Sequence, residues 1–148
     1  MNSKIKALKK RIFAAKGEIP ADLVLKRGQI VNVFSGEILE KDVAIYDGVI
    51  VGVGPGYRGK EEKDLMGKWV IPGLIDGHFH IESSMLLPRE LSAALLIHGT
   101  TTLVADPHEI ANVMGVPGIR LMLRESLEIP FDIFIMAPSC VAATHLET

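Results

Sequence analysis

The sequence predicts an α/β protein in which a small β unit precedes alternating strands and helices. Runs rich in valine and isoleucine over residues 21–68 are broken by Arg-Gly, Ser-Gly and Asp-Gly pairs, which is typical of a compact antiparallel β unit. From residue 69 onward, strand-like and helical runs alternate with short links, which indicates parallel strands and right-handed crossovers. A basic segment comes first. We therefore expect three parts: a basic helix over 1–20, a β segment over 21–70 and β/α units over 71–148.

Composition limits the class of protein. The 148 residues are 48% hydrophobic and 23% charged, which is typical of a soluble globular chain. The net charge of −2 gives no indication of a nucleic-acid partner, and no stretch approaches the ~20 apolar residues of a membrane span. A single cysteine, Cys140, excludes an intrachain disulfide and a cysteine-pair zinc site. We expect a cytoplasmic protein without a membrane or nucleic-acid partner.

The first 17 residues carry basic side chains and no acid. This helix could bind a membrane surface or serve in targeting. A solvated helix lying over the body of the protein is the favoured interpretation. Secretion is not expected, because the segment has no apolar signal-peptide core and no cleavage site. The basic residues are Lys4, Lys6, Lys9, Lys10, Arg11 and Lys16.

Within the β segment, Asp47-Gly48 lies between the apolar runs VAIY and VIVGVG. A two-residue type I′ hairpin needs positive φ at both central positions, and Asp-Gly suits it well. The sequence therefore predicts a hairpin there. The stretch YRGKEEKDLMGK, residues 57–68, is expected to be a polar loop before the next strand.

Two helices are predicted between the later strands. The first begins at Pro88 and ends at Gly99, with His98 in its last turn as a structural residue. The second is GIRLMLRESLE, residues 118–128, with one apolar side formed by Ile119, Met122, Leu123 and Ser126. The run FDIFIMAP follows as a strand.

The candidate chemistry lies at strand ends. His78 and His80 follow an apolar run, and residues two apart on a strand project from one face, so two imidazoles reach one place. Such a pair forms half of a metal site, or two hydrogen-bonding histidines. In β/α barrels this end of the strands holds the active site.

The string ADPHE follows the next strand and supplies three ionisable groups, Asp106, His108 and Glu109. They could form an auxiliary metal site, a proton shuttle or substrate-binding groups, or simply a helix-entry loop. Glu82 and Ser83 could bind a ligand or waters around the metal, or begin a helix. His145 is ambiguous.

Other catalytic signatures are excluded. The string HIE at 80–82 matches the opening of the cytidine-deaminase zinc motif, but that motif needs P-C-x-x-C and the sequence supplies one cysteine. There is no G-x-x-x-x-G-K-[ST] phosphate loop and no G-x-S-x-G nucleophile elbow in the sequence.

Taken together, WVIPGLIDGHFH resembles the opening of the metal-dependent amidohydrolase superfamily. The longer run HIESSMLLPREL…HGTTTLVADPHEIANVMGVPGI, with MAPSCVAAT after it, is similar to the adenine deaminases of bacteria and archaea within that superfamily. The resemblance covers residues 20–148. It implies a proline at the position of Ala142, and this chain departs from it there.

The resemblance implies a small β-sandwich segment followed by the first β/α units of a TIM-type (β/α)8 barrel, incomplete in this chain. It implies hydrolysis of adenine to hypoxanthine and ammonia at a divalent metal, manganese or iron, binuclear in the complete fold. His78 and His80 match the metal ligands. Asp106 and Glu109 are then catalytic candidates that move protons, and Glu82, Ser83 and His108 are candidates for binding substrate or surrounding the metal.

The remaining ligands of this family come from later strands, so the chain matches an N-terminal portion. We expect it to be inactive alone and to need the rest of the barrel, from a longer chain, a second chain or a homo-oligomer. One alternative is another hydrolase acting on a cyclic amide or amidine. A second is a non-catalytic interaction module, which predicts folding or partner binding without metal dependence.

Overall fold

The computed structural model describes residues 3–142 and divides after Pro72 into two compact units. The first unit contains α1 (Ser3–Ala15), β1 (Ala21–Asn32), β2 (Glu37–Tyr46), β3 (Val49–Val53), β4 (Gly59–Asp64) and β5 (Trp69–Val70). The second contains β6 (Leu74–Phe79), a 3₁₀ turn (Glu82–Ser84), α2 (Pro88–Leu96), β7 (Thr100–Ala105), α3 (His108–Met114), α4 (Val116–Glu125) and β8 (Asp132–Ile135).

The basic helix α1 packs on the β unit, as the favoured interpretation of its charge predicted. Ala14 is fully buried, and the Tyr57 hydroxyl donates to the Ala15 carbonyl oxygen over 2.9 Å. Arg11 forms an ion pair with Asp47 at 2.9 Å. Among residues 3–142, no helix is long and apolar enough to cross a membrane.

The sheet of the first unit is mixed, so the prediction of an antiparallel unit is wrong in part. Its order is β3-β2-β1-β4, and β5 also pairs with β1. The β1–β2 and β2–β3 pairs are antiparallel, whereas β4 and β5 run parallel to β1. The predicted hairpin is confirmed: Asp47 and Gly48 have φ of 52° and 69°, as a type I′ turn requires.

The expected polar loop over 57–68 contains strand β4, and that expectation is corrected. A strand is held by main-chain hydrogen bonds, so charged side chains can occupy an edge where they stay in water. Lys60 pairs with Asp22 at 2.7 Å, and Arg27 Nε donates to Asp64 Oδ1 over 3.0 Å. The charged side chains of β4 are therefore compatible with its position at the edge of the sheet.

In the second unit, β6, β7 and β8 are parallel neighbours in that order, as the alternation of strands and helices predicted. The helices cover an apolar core formed by Ile81, Leu91, Leu103, Ala105, Met122 and Phe131. Helix α3 agrees with the helix-entry loop that the sequence left open at ADPHE, but its bounds were not predicted. It approaches α4 closely at Gly118, where an added Cβ would lie 2.9 Å from the Ile110 carbonyl oxygen.

Two details of the predicted helices differ. Helix α2 begins at Pro88 as expected but ends at Leu96, so His98 lies exposed in the following turn and not in the last helical turn. Gly99 adopts φ of 91° and ends that turn. On α4, Met122 is buried but Leu123 is 46% exposed, because α4 packs through Gly118 and Met122.

Candidate metal centre

The parallel pairing of β6 and β7 brings their carboxyl ends to one edge of the sheet. Phe79 pairs with Ala105, so the residues that follow each strand are neighbours. His78 lies near the end of β6, His80 directly after it, and Asp106 directly after β7. Strand periodicity points both imidazoles to one side. The structure therefore brings together residues separated by 26 positions in sequence.

The two histidines of β6 face each other. Their Nε2 atoms lie 3.1 Å apart, and the rings meet edge to face with centroids 4.9 Å apart. Two nitrogens that each lie about 2.1 Å from one zinc-like ion are separated by about 3–3.5 Å. The spacing suits two ligands of a single cation.

A backbone contact fixes the tautomer of His80. Its Nδ1 lies 3.2 Å from the carbonyl oxygen of Asp106. A carbonyl oxygen only accepts, so Nδ1 carries the proton and donates. Neutral His80 then presents an unprotonated Nε2 toward His78, which is the form that binds a metal.

Asp106 is only 8% exposed, and its side chain is incompletely satisfied. Within the part of the chain that the structure describes, Asp106 Oδ1 and His108 Nδ1 are buried without a hydrogen-bond partner. His108 Nδ1 lies 3.5 Å from Asp106 Oδ2. Buried polar atoms are nearly always paired, so an unpaired carboxylate oxygen beside imidazoles fits a cation.

Two overlapping sets of ligand atoms result. In each set one atom per residue can be chosen so that all lie within 4.8 Å of one another. The first set is His78, His80 and Asp106, and the second is His80, His108 and Glu109. The rings of His80 and His108 also meet edge to face at 4.8 Å.

Glu82 and Ser83, the candidates for binding substrate or surrounding the metal, both contact α3. Glu82 Oε1 accepts from the backbone N–H of Ile110 over 3.1 Å. The Ser83 hydroxyl donates to Glu109 Oε1 over 3.0 Å. His98 lies in the turn after α2, and His145 falls outside the described residues.

Sequence reasoning missed Asn112, whose side chain joins α3 to the segment after β8. Its Nδ2 donates to the Cys140 carbonyl oxygen over 3.1 Å, and its Oδ1 accepts from the Ala142 N–H over 3.0 Å. The only available signal is its position four residues after His108, on the same face of a helix. That signal needs α3 to be known first.

Parallel strands with helical connections, and imidazoles and a buried carboxylate at their carboxyl ends, define a β/α protein of the barrel class with a candidate metal site. Residues 69–148 match the family model described as "Amidohydrolase family". The chain belongs to the amidohydrolase family, and β6, β7 and β8 form part of the barrel, which is incomplete here.

Curated relatives are similar over nearly the whole chain. An "Adenine deaminase" of Geobacillus kaustophilus is 53% identical over 140 residues, 95% of this chain and 24% of the relative. "Adenine deaminase 2" of Carboxydothermus hydrogenoformans is 54% identical over 97% of this chain and 25% of its own length. An "Adenine deaminase" of Methanoregula boonei is 55% identical over 92% and 24%. The chain thus spans about a quarter of these relatives.

A solved structure is similar in fold. It is the N-acyl-D-glutamate deacylase of Bordetella bronchiseptica, crystallised with zinc and a phosphonate inhibitor. The TM-score is 0.50 at 26% identity, over 59% of this chain and 19% of that chain. The family match and this likeness confirm the predicted fold class and the resemblance on which it rested.

Proposed function

We propose that this chain supplies the first metal ligands of an enzyme that hydrolyses adenine to hypoxanthine and ammonia. The main support is the cluster of His78, His80 and Asp106 at the strand ends. The chain that holds this cluster is about half identical to curated adenine deaminases. Because the chain spans about a quarter of those relatives, the activity is proposed for the protein that contains the complete barrel.

The residues present fit a divalent cation. His78 and His80 would hold it through Nε2, and a carboxylate oxygen of buried Asp106 lies within 4.8 Å of the ligand atoms of both histidines. We propose manganese or iron, and a binuclear centre in the complete fold. A bound divalent metal lowers the pKa of water and so supplies a hydroxide nucleophile near neutral pH.

The reaction forms a C6–O bond and breaks the C6–N bond of the purine, and the leaving amine needs a proton. Glu109 suits proton exchange, because Ser83 donates to its Oε1 and orients the carboxylate. We assign the exchange to Glu109 Oε2. Asp106 stays the second candidate for proton exchange, besides its place among the ligand atoms of the cation. His108 is grouped with Glu109 and serves to bind substrate or to surround the metal, and Glu82 contacts α3.

Two histidines and one aspartate make a solvent-open site, since His78 is exposed. The family resemblance implies further ligands on later strands. We therefore expect residues 1–148 alone to bind metal weakly and not to deaminate adenine at a useful rate. The cytoplasmic location and the homo-oligomer or second chain expected from the sequence also stay predictions.

A chimera tests the proposal. Residues 1–148 would replace the matching quarter of the Geobacillus kaustophilus relative, and ammonia release from adenine would be measured with Mn²⁺ present. We expect adenine deamination that is lost in His78→Ala and His80→Ala and kept in His98→Ala. A folded chimera that binds Mn²⁺ but leaves adenine intact would contradict the proposed substrate.

The likeness to a deacylase supports a second candidate, hydrolysis of an amide by the same metal site. The chimera should therefore be assayed against N-acyl amino acids and cyclic amides beside adenine. A non-catalytic interaction module is the third reading, and it requires that folding and partner binding be the same with and without metal.

A further inference from the structure

Four hydrogen bonds join residues 79–83, at and after the end of β6, to residues 106–110, which run from the end of β7 into α3. They are Asp106 N–H to Phe79 O at 2.9 Å, His80 Nδ1 to Asp106 O at 3.2 Å, Ser83 Oγ to Glu109 Oε1 at 3.0 Å, and Ile110 N–H to Glu82 Oε1 at 3.1 Å. Two of the four use side chains of the 3₁₀ turn. The 3₁₀ turn therefore contacts the first turn of α3, while His80 contacts Asp106 directly.

Glu82 caps the N-terminus of α3, whose own N-cap residue makes no side-chain hydrogen bond. The residue at the N-cap of α3 is Pro107, which has no side-chain hydrogen-bond acceptor. The first N–H groups of a helix have no intrahelical partner, and an anion near them is stabilising. Glu82 supplies both the acceptor and the negative charge from 28 residues away.

The orientation of α3 determines where two of the candidate site residues lie. The helix has seven residues, and helices this short depend on outside contacts to persist. His108 and Glu109 are its first two residues, and the His108 ring meets the His80 ring at 4.8 Å. A change in the first turn would move both side chains relative to His80.

We propose that Glu82 is a positioning residue that holds the first turn of α3 and so sets how His108 and Glu109 face His80. The consequence of this positioning for catalysis rests on the proposed function. The contact between the His80 and His108 rings is independent of that function and can be measured in the metal-free chain.

The first test compares Glu82→Leu, which removes the acceptor, with Glu82→Gln, which keeps an acceptor oxygen. Glu90→Leu and Glu90→Gln are matched controls, because Glu90 is an exposed glutamate in the first turn of α2.

Nuclear Overhauser contacts between ring protons are measured in the full metal-free chain. Glu82→Leu should lose the His80–His108 contact and keep the His78–His80 contact, whereas Glu82→Gln should keep both. If Glu82→Leu keeps the His80–His108 contact, the proposal is overturned.

The second test titrates the same variants with Mn²⁺ alone. Residues that orient metal ligands typically affect affinity ~10–100-fold, and we expect a loss in that range for Glu82→Leu. For Glu82→Gln, and for both Glu90 variants, we expect changes under about threefold. Equal affinity of Glu82→Leu and the wild type would overturn the positioning role. Failure of the wild type to bind Mn²⁺ would count against the proposed function, while the ring contacts would still decide the role of Glu82.

If Glu82→Leu does not fold, Glu82→Gln decides. Its amide oxygen can accept the same hydrogen bond from Ile110, so a folded Glu82→Gln with the His80–His108 contact supports the proposal. A folded Glu82→Gln that has lost this contact overturns it.

Discussion

The side chain of Asp106 suits a cation-bound protein better than a cation-free one. Its Oδ1 is buried and, within residues 3–142, has no hydrogen-bond partner, although His108 lies beside it. Leaving such an atom unpaired costs about 1–3 kcal/mol, more for a charged group. Functional sites commonly carry local costs of this kind.

Asp106→Asn should therefore separate stability from metal binding. We expect the metal-free variant to melt at or above the wild-type temperature, because the buried charge is gone. Mn²⁺ should raise the melting temperature of the wild type and have little effect on the variant. A variant with an undiminished Mn²⁺-induced rise would show that Asp106 does not contact the ion.

His80→Ala should abolish most of the metal affinity. Residues that merely orient ligands affect affinity ~10–100-fold, so removing a ligand should cost at least about 100-fold in Mn²⁺ dissociation constant. His98→Ala is the control, because His98 is exposed in the turn after α2. Equal losses in the two variants would argue against a specific role for His80.

Asp22 gives the first unit a pH dependence. The Asp47 N–H and the Lys60 ammonium hold the pKa of Asp22 below its ordinary value of 3.8. A lowered folded-state pKa stabilises the fold above the ordinary value, and this is lost as pH falls through the folded-state pKa. Asp22→Asn should thus lower the melting temperature of the first unit at pH 7, with the gap closing below about pH 4. A difference in melting temperature that stays unchanged at pH 2–3 would contradict this expectation. Glu61→Gln is the control, because Glu61 is an exposed carboxylate on β4.

The sequence was sufficient to predict that His78, His80 and Asp106 lie at the same end of neighbouring strands. Period-two geometry and the common edge of parallel strands are enough to bring them together. The partner of Glu82 could not be predicted, because it is a backbone N–H 28 residues away on a helix whose bounds the sequence left open.

Among the elements, β4 was not predicted, and α3 was left open as one of several interpretations of ADPHE, for different physical reasons. β4 is GKEEKD, and its place in the sheet comes from main-chain pairing with β1, which leaves no apolar pattern to read. α3 is a seven-residue helix that follows Pro107. Glu82 accepts a hydrogen bond from its first turn, and its own Asn112 donates to the Cys140 carbonyl oxygen in the segment after β8. Both depend on contacts distant in sequence. By contrast, the Asp47-Gly48 hairpin and the start of α2 at Pro88 follow from local backbone chemistry and were predicted.

Ala142 offers a test of the connection between α3 and the segment after β8. Its N–H donates to Asn112 Oδ1, and a proline, which the family resemblance implies at this position, has no N–H to donate. Ala142→Pro should therefore cost about 0.5–1.5 kcal/mol in the free energy of unfolding measured with urea.

A double-mutant cycle supplies the control for Ala142→Pro. In an Asn112→Ala background, where the acceptor is gone, Ala142→Pro should cost little further. Additive losses would mean that the cost arises from proline geometry and not from the hydrogen bond to Asn112.

For the whole molecule, alternating strands and helices were sufficient to predict parallel pairing of β6, β7 and β8. A parallel sheet normally has both faces covered, yet Ile75 on β6 is 69% exposed and Phe134 on β8 is 62% exposed. Three strands of an incomplete barrel account for this. The sequence of residues 1–148 does not show what covers Ile75 and Phe134, because in a (β/α)8 barrel that depends on further strands and helices.

The central claim is that His78 and His80 bind one divalent ion. The most direct test is X-ray absorption at the zinc edge, on the full chain loaded with one equivalent of Zn²⁺. We expect two imidazole nitrogens at about 2.0–2.1 Å, with oxygen ligands completing the shell. The imidazole signal should disappear in the His78→Ala/His80→Ala double variant. An imidazole count that the double variant leaves unchanged, or an all-oxygen shell in the wild type, would contradict the account.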